Sequence, residues 1–129
     1  MQQFKILLSI VFIILLISCN KDKESLKEKM TAKWMMVKVH ENEKDVTAQY
    51  KKEEFYWIWL KPDNSFTTSD GKDSGRWEVN EKTNELFLKS SYREDSSWRL
   101  KFVDEYQIIW DKKNSPVKFR VLYTEIPLK

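Results

Sequence analysis

The sequence predicts an all-β domain, an antiparallel up-and-down meander of about eight strands with a short helix ahead of it. Two observations carry this reading. Beyond Trp34 apolar and charged residues alternate at every second position, and turn-forming residues recur between the alternating stretches. Composition adds a third: two Gly and three Pro stand against six Trp, five Tyr and seven Phe, enough bulk for a packed core.

The helix comes first. Ser25-Leu26-Lys27-Glu28 fits a capping box, with Ser25 as N-cap and Glu28 three residues on. Leu26, Met30 and Trp34 are spaced four apart, so one apolar stripe leads into the first strand and the helix should close one end of the domain. A helix lying on a membrane surface is the alternative reading of this segment.

Strands are expected near 33–40, 54–61, 65–70, 75–80, 85–90, 96–103, 105–111 and 117–125. Pro62-Asp63-Asn64, Asp70-Gly71, Asn80 to Asn84, Arg93 to Asp95, Asp104-Glu105 and Lys112 to Pro116 supply the turns. Links this short force neighbouring strands antiparallel. Alternation is cleanest where Trp98, Leu100 and Phe102 oppose Arg99 and Lys101, and where Val117, Phe119, Val121 and Tyr123 oppose Lys118 and Arg120. One apolar and one wet face per strand is the pattern of a sheet that curls and closes on itself.

The stretch 54–61 departs from that pattern, because it is apolar on both faces. With Tyr56, Ile58 and Leu60 pointing inward, Phe55, Trp57 and Trp59 form an outward aromatic stripe. Either the segment 45–52, with Val46 and Tyr50, packs over the stripe as a lid, or the N-terminal helix covers it, or the stripe is a platform for a protein or glycan. Burial under the lid is the favoured expectation. Trp34, Tyr50, Phe55, Trp57 and Trp59 are therefore the candidate binding residues.

Residues 1–19 read MQQFKILLSIVFIILLISC, a short segment carrying Lys5, an apolar run from Ile6 to Ile17, and small residues before a cut. As a helix that run rises ~18 Å, short of the ~30 Å hydrocarbon core, so it reads as a signal peptide and not as a stable span. Leu16-Ile17-Ser18-Cys19 resembles the lipobox of bacterial lipoproteins, which implies a lipidated Cys19 at the new N-terminus. Cys19 is the single cysteine of the chain, so no internal disulfide competes for it. Several acyl chains hold a protein at a membrane far more firmly than one.

The expected organisation is a signal peptide over 1–18, the lipidated Cys and a charged tether over 19–25, and a barrel domain over 26–129. Asn20 after the Cys and the Lys21-Asp22-Lys23-Glu24 run resemble sorting signals of Gram-negative lipoproteins. They imply a cell-envelope protein on the outer membrane, with the cell surface as its possible final address.

Removing 18 of 129 residues leaves 111, one domain. Loss of Lys5 leaves 22 Lys plus Arg against 20 Asp plus Glu, a net of +2 with the signs interspersed, which argues against a nucleic-acid partner. A monomer is expected.

Catalytic and metal chemistry find little to work with. His40 is the single histidine and sits beside Glu41, so neither a His-based metal site nor a Ser-His-acid arrangement assembles. Glu53-Glu54, Glu94-Asp95 and Asp104-Glu105 are adjacent acids, yet each falls at a turn or strand edge where charge faces water. Gly71 and Gly75 lack the spacing of a phosphate loop. No enzyme and no cofactor are expected.

A resemblance covers most of residues 26–125. Lys33-Trp34, Asp45-Val46-Thr47 with Tyr50, Leu60-Lys61-Pro62-Asp63-Asn64-Ser65-Phe66, Ser74-Gly75-Arg76-Trp77-Glu78-Val79 and Asp104-Glu105-Tyr106-Gln107-Ile108 look like the small lipocalin-like domain lipoproteins of bacteria. Ala32 stands where that family usually has Gly before its first Trp, and Asn64 where it often has Gly in the hairpin. The resemblance implies a lipocalin-like barrel that binds a small apolar ligand. Against a roomy pocket stands the inward list of Trp34, Phe66, Trp77, Trp98, Phe102, Tyr106, Trp110, Phe119 and Tyr123, which predicts a lumen packed to leave at most a shallow cleft.

Overall fold

The computed structural model describes residues 24–127, and there the alternation becomes a closed barrel. In chain order the elements are α1 (Leu26–Met30), β1 (Ala32–Glu41), β2 (Lys44–Asp45), α2 (Thr47–Lys52), β3 (Trp57–Leu60), β4 (Ser65–Thr68), β5 (Ser74–Asn80), β6 (Glu85–Ser90), β7 (Ser96–Phe102), β8 (Gln107–Lys112) and β9 (Phe119–Ile126). The sheet order is β2-β1-β3-β4-β5-β6-β7-β8-β9, with β1 also paired to β9, so eight strands close and β2 is an extra ribbon. Every pairing is antiparallel. The all-β meander is thus as the sequence predicts.

Closure rests on β1, the longest strand. Its first half pairs with β3, from Ala32↔Leu60 to Met35↔Trp57, while the other edge pairs with β9 from Lys33↔Ile126 to Glu41↔Phe119. The register shifts between Met36 and Lys38, a bulge that bends the strand and adds twist where the barrel must curve.

The up-and-down course gives the barrel two distinct ends. The turns after β3, β5 and β7 meet α1 at one of them. Ser25 Oγ accepts from Glu28 N at 3.1 Å, the expected cap, and Leu26 N donates to Glu81 Oε1 at 2.8 Å, fastening the helix to the β5–β6 turn. Leu26 and Met30 are buried, and Trp34 Nε1 donates to the Met30 carbonyl at 2.9 Å. With buried Leu60, Phe66, Leu86 and Ile108 they pack this half, each large side chain contributing about 1.5–3 kcal/mol. The other end carries the turns after β1, β4, β6 and β8, together with α2.

Asn64, Asn84 and Asn114 take positive φ of 69°, 57° and 54° in the connecting turns, so Asn serves where glycine would be usual. Gly75 is different. A Cβ there would stand 2.0 Å from the Lys89 backbone oxygen, so only glycine lets β5 approach β6 this closely.

Three expectations need correction. The strand expected from 54 begins at Trp57, because α2 ends at Lys52 with Glu53 as its C-cap and Glu54 turns the chain with φ 64°; Tyr56 is then 47% exposed and does not point inward. Tyr106, also assigned inward, is 60% exposed, since Asp104 Oδ1 accepts from Tyr106 N and Gln107 N and holds that residue in the turn before β8. The segment 42–52, where no element was expected, forms a tight two-residue turn, β2 and α2.

Two stability predictions follow from these environments. Trp77 is buried with Nε1 donating to the Lys61 carbonyl at 2.9 Å, so Trp77→Ala should lower stability by about 3–5 kcal/mol in urea unfolding; an unchanged midpoint would reverse the assignment of faces. At the closed end burial, then the carboxylates of Glu24 and Glu105, hold Glu125 above the usual carboxylate range. A carboxyl raised by folding destabilises the fold once pH passes its folded value and has no such effect below its unfolded one. Glu125→Gln should therefore raise Tm at neutral pH and leave it unchanged near about pH 3, and the opposite ordering would contradict this environment.

Candidate functional site

Above the packed half, the inward positions pass to smaller side chains. Val39 of β1, Ile58 of β3, Thr68 of β4, Leu88 of β6 and Val121 of β9 surround a cavity of about 510 Å³ that opens at the end carrying α2. That volume falls within the ~300–1,000 Å³ range of small-molecule sites. The expected cleft is found here as a half-open cavity at the rim, its deep wall closed off by buried Val39, Val121 and Trp110.

One wall of the chamber is a continuous file of aromatic rings. Tyr123 and Trp110 lie 4.4 Å apart between centroids, Trp110 and Trp98 5.9 Å, Trp98 and Phe119 5.7 Å, Phe119 and Tyr50 5.7 Å, and Tyr50 and Phe55 6.4 Å. Tilted and edge-on pairs of this kind hold ring geometry beyond simple burial. The file runs from the barrel interior up to α2.

The lid is held by local polar bonds. Asp45 Oδ1 accepts from Thr47 N at 2.9 Å and Thr47 Oγ1 at 2.6 Å, and Thr47 Oγ1 accepts from Val39 N at 3.0 Å, which pins α2 to β1. The Tyr50 hydroxyl donates to Glu41 Oε1 at 2.9 Å. Burial, then that bond to a carboxylate, raises the Tyr50 phenol well above its usual range, so it stays a donor. Burial does the same to Tyr123.

On the opposite rim Thr68 Oγ1 donates to Asp70 Oδ1 at 2.6 Å, and Lys72 N donates to the same oxygen at 3.0 Å. The Asp70 side chain is 5% exposed, with Arg93 3.9 Å away. Ser90 Oγ donates to Asp73 Oδ1, tying the β4–β5 turn to β6.

Two buried indole nitrogens lack a hydrogen-bond partner, those of Trp110 and Trp59. Trp110 is 1% exposed and its ring lines the chamber, whereas Trp59 belongs to the outer wall. Among the described residues no three His, Cys, Asp or Glu side chains come together to hold a metal.

The five sequence-predicted residues divide among three places. Tyr50 and Phe55 meet at the lid and line the cavity. Trp34 lies in the packed half, 1% exposed under Met30. Trp57 and Trp59 are on the outer face, half-buried, opposite inward Ile58 and Leu60. Their cover comes from lysines and not from the segment 45–52: Lys33 Nζ lies 3.9 Å from the Trp57 ring centre and 5.4 Å from that of Trp59, and Lys61 Nζ 4.7 Å from Trp59.

Cavity residues outside that set include Trp98, Trp110, Phe119 and Tyr123, which alternation did assign to the interior, but as filling. Asp70 and Arg93 were read as turn residues, and Asp73 was not singled out. Cys19, the expected lipidation site, lies outside the described residues, as do the signal peptide and most of the tether.

Trp57→Ser tests the outer face. Loss of the cation–π contact to Lys33, worth about 0.5–1 kcal/mol, and of half-buried ring area should lower stability by roughly 1–2 kcal/mol in urea. An unchanged urea midpoint would mean that the ring is in effect solvated.

The chain matches no model of a known protein family and no curated protein. What the barrel does therefore follows from the chemistry of its own lumen.

Proposed function

We propose that this chain is a lipid-anchored cell-envelope lipoprotein whose lipocalin-like barrel binds a small apolar ligand and performs no catalysis. The observation that carries the binding reading is the cavity of about 510 Å³, which has an aromatic wall and a polar rim and is reached past a lid of six residues. The closed opposite end makes it a cup and not a channel. The anchor rests on the lipobox-like Leu16-Ile17-Ser18-Cys19 and the lone cysteine.

Anchor and cup have a defined relation in this reading. Chain leaves the tether at Glu24, beside Glu125 at the closed end, so the mouth faces away from the lipid. A strand of seven residues such as β5 measures roughly 23 Å, which sets the mouth about that far above the plugged end. Ligand then comes from the aqueous side, or from a partner, and does not slide in from the membrane that holds the protein.

Two measurements check the proposal. Metabolic labelling with a fatty acid should mark the wild-type chain and not Cys19→Ala, and equal label in both would remove the anchor. The neutral fluorophore N-phenyl-1-naphthylamine should bind the soluble domain saturably, and Val121→Phe, which fills the cavity, should abolish that signal while circular dichroism keeps its β spectrum. Undiminished binding in a folded Val121→Phe protein would put the ligand elsewhere.

A further inference from the structure

The groups around the cavity narrow the chemistry of its ligand, an inference that rests on the binding reading above. Five carboxylates, those of Glu41, Glu53, Asp70, Asp73 and Glu94, line the chamber with Arg93 and Lys112, a net of −3 on a chain whose formal charge is +3. Of the five, Asp70 is the one within ion-pair distance of a cation among the described residues, 3.9 Å from Arg93. Glu41 and Asp73 accept from the neutral hydroxyls of Tyr50 and Ser90, bonds that bring no counter-charge to the rim. Low-dielectric walls around a rim of one dominant sign focus that field on whatever enters.

The interior supplies a second and independent signal. Trp110 is buried, lines the chamber and leaves Nε1 without a partner. An indole N–H can only donate. A buried donor without an acceptor is costly, and a guest bearing an oxygen acceptor removes that cost. The ring beside it already receives a cation, since Lys112 Nζ lies 6.0 Å from the centre of Trp98.

We infer that the ligand is a cationic amphiphile. Its amine sits among the rim carboxylates, its apolar body lies along the file of Tyr50, Phe119, Trp98 and Trp110, and an acceptor oxygen on that body takes the Trp110 N–H. A fatty-acid carboxylate would bring a negative charge to a rim already at −3.

Four probes with similar chains read this out by calorimetry at pH 7 and low salt: decylamine, decanol, decanoate and methyl 10-aminodecanoate. Decylamine should bind at least about tenfold more tightly than decanoate, with decanol between, and the gap should shrink in salt and in the Glu53→Gln, Glu94→Gln double variant, whose two carboxylates are exposed. The amino ester should bind about fivefold more tightly than decylamine, and equally with it in Trp110→Phe. In the wild-type protein the Trp110 indole N–H resonance should move downfield with the ester and not with decylamine, a readout that does not depend on the variant folding.

Decanoate binding as tightly as decylamine would overturn the cationic class and leave the apolar cavity standing. No gain from the ester, with a stationary indole resonance, would overturn the acceptor. Failure of all four probes to bind would overturn the binding reading itself.

Discussion

Pairing of β1 with β9 is the constraint on which the rest depends. Both strands would otherwise be sheet edges, with unpaired backbone groups and apolar faces open to water. Once joined from Lys33↔Ile126 to Glu41↔Phe119, every strand between acquires an inside, and alternation becomes a core. The bulge between Met36 and Lys38 bends β1 so that one strand can serve β3 and β9 together. Beyond its pairing with β3, β1 turns back through β2 and α2, which places Tyr50 at the mouth against Phe119 of β9.

The division of the lumen into a solid half and a hollow half follows from how side-chain volume is spent along the barrel axis. Trp34, Phe66, Trp77, Leu60, Met30 and Leu86 crowd the end where α1 sits. At the other end Val39, Thr68 and Val121 occupy equivalent inward positions and leave room. Thr68 is the single buried polar residue in the described core, and its hydroxyl is satisfied by Asp70, so the polar rim begins where the packed core stops. A cup built this way has a rigid base, and its mouth is framed by turns, a six-residue helix and hydrogen-bonded carboxylates.

Much of this was legible in the sequence because strand alternation is a direct record of inside and outside. Trp77 behind Gly75, Leu86 and Leu88 around Phe87, and Trp98 with Leu100 all lie where period two puts them. The Ser25 cap and the stripe of Leu26, Met30 and Trp34 were equally plain. The lid was not. A strand of two exposed residues and a helix with no buried residue carry no period, and the left-handed Glu54 that redirects Phe55 into the mouth is a residue type no turn rule flags. Nor could a list of inward residues reveal the chamber, because it gives total volume and not its distribution with height. Asp70-Gly71 reads as a wet turn, while in the fold Asp70 is buried beneath Arg93.

The central claim is that the ligand enters the barrel and does not meet the outer aromatic face. The six tryptophans report on both places, since Trp98 and Trp110 line the chamber, Trp57 and Trp59 lie on the outer wall, and Trp34 and Trp77 sit in the packed half. Titrating the isotope-labelled protein with decanol and following the indole N–H resonances separates them in one experiment. Trp98 and Trp110 should shift together and saturate while Trp57 and Trp59 stay in place; movement of Trp57 and Trp59 with Trp98 and Trp110 unchanged would contradict a ligand inside the barrel.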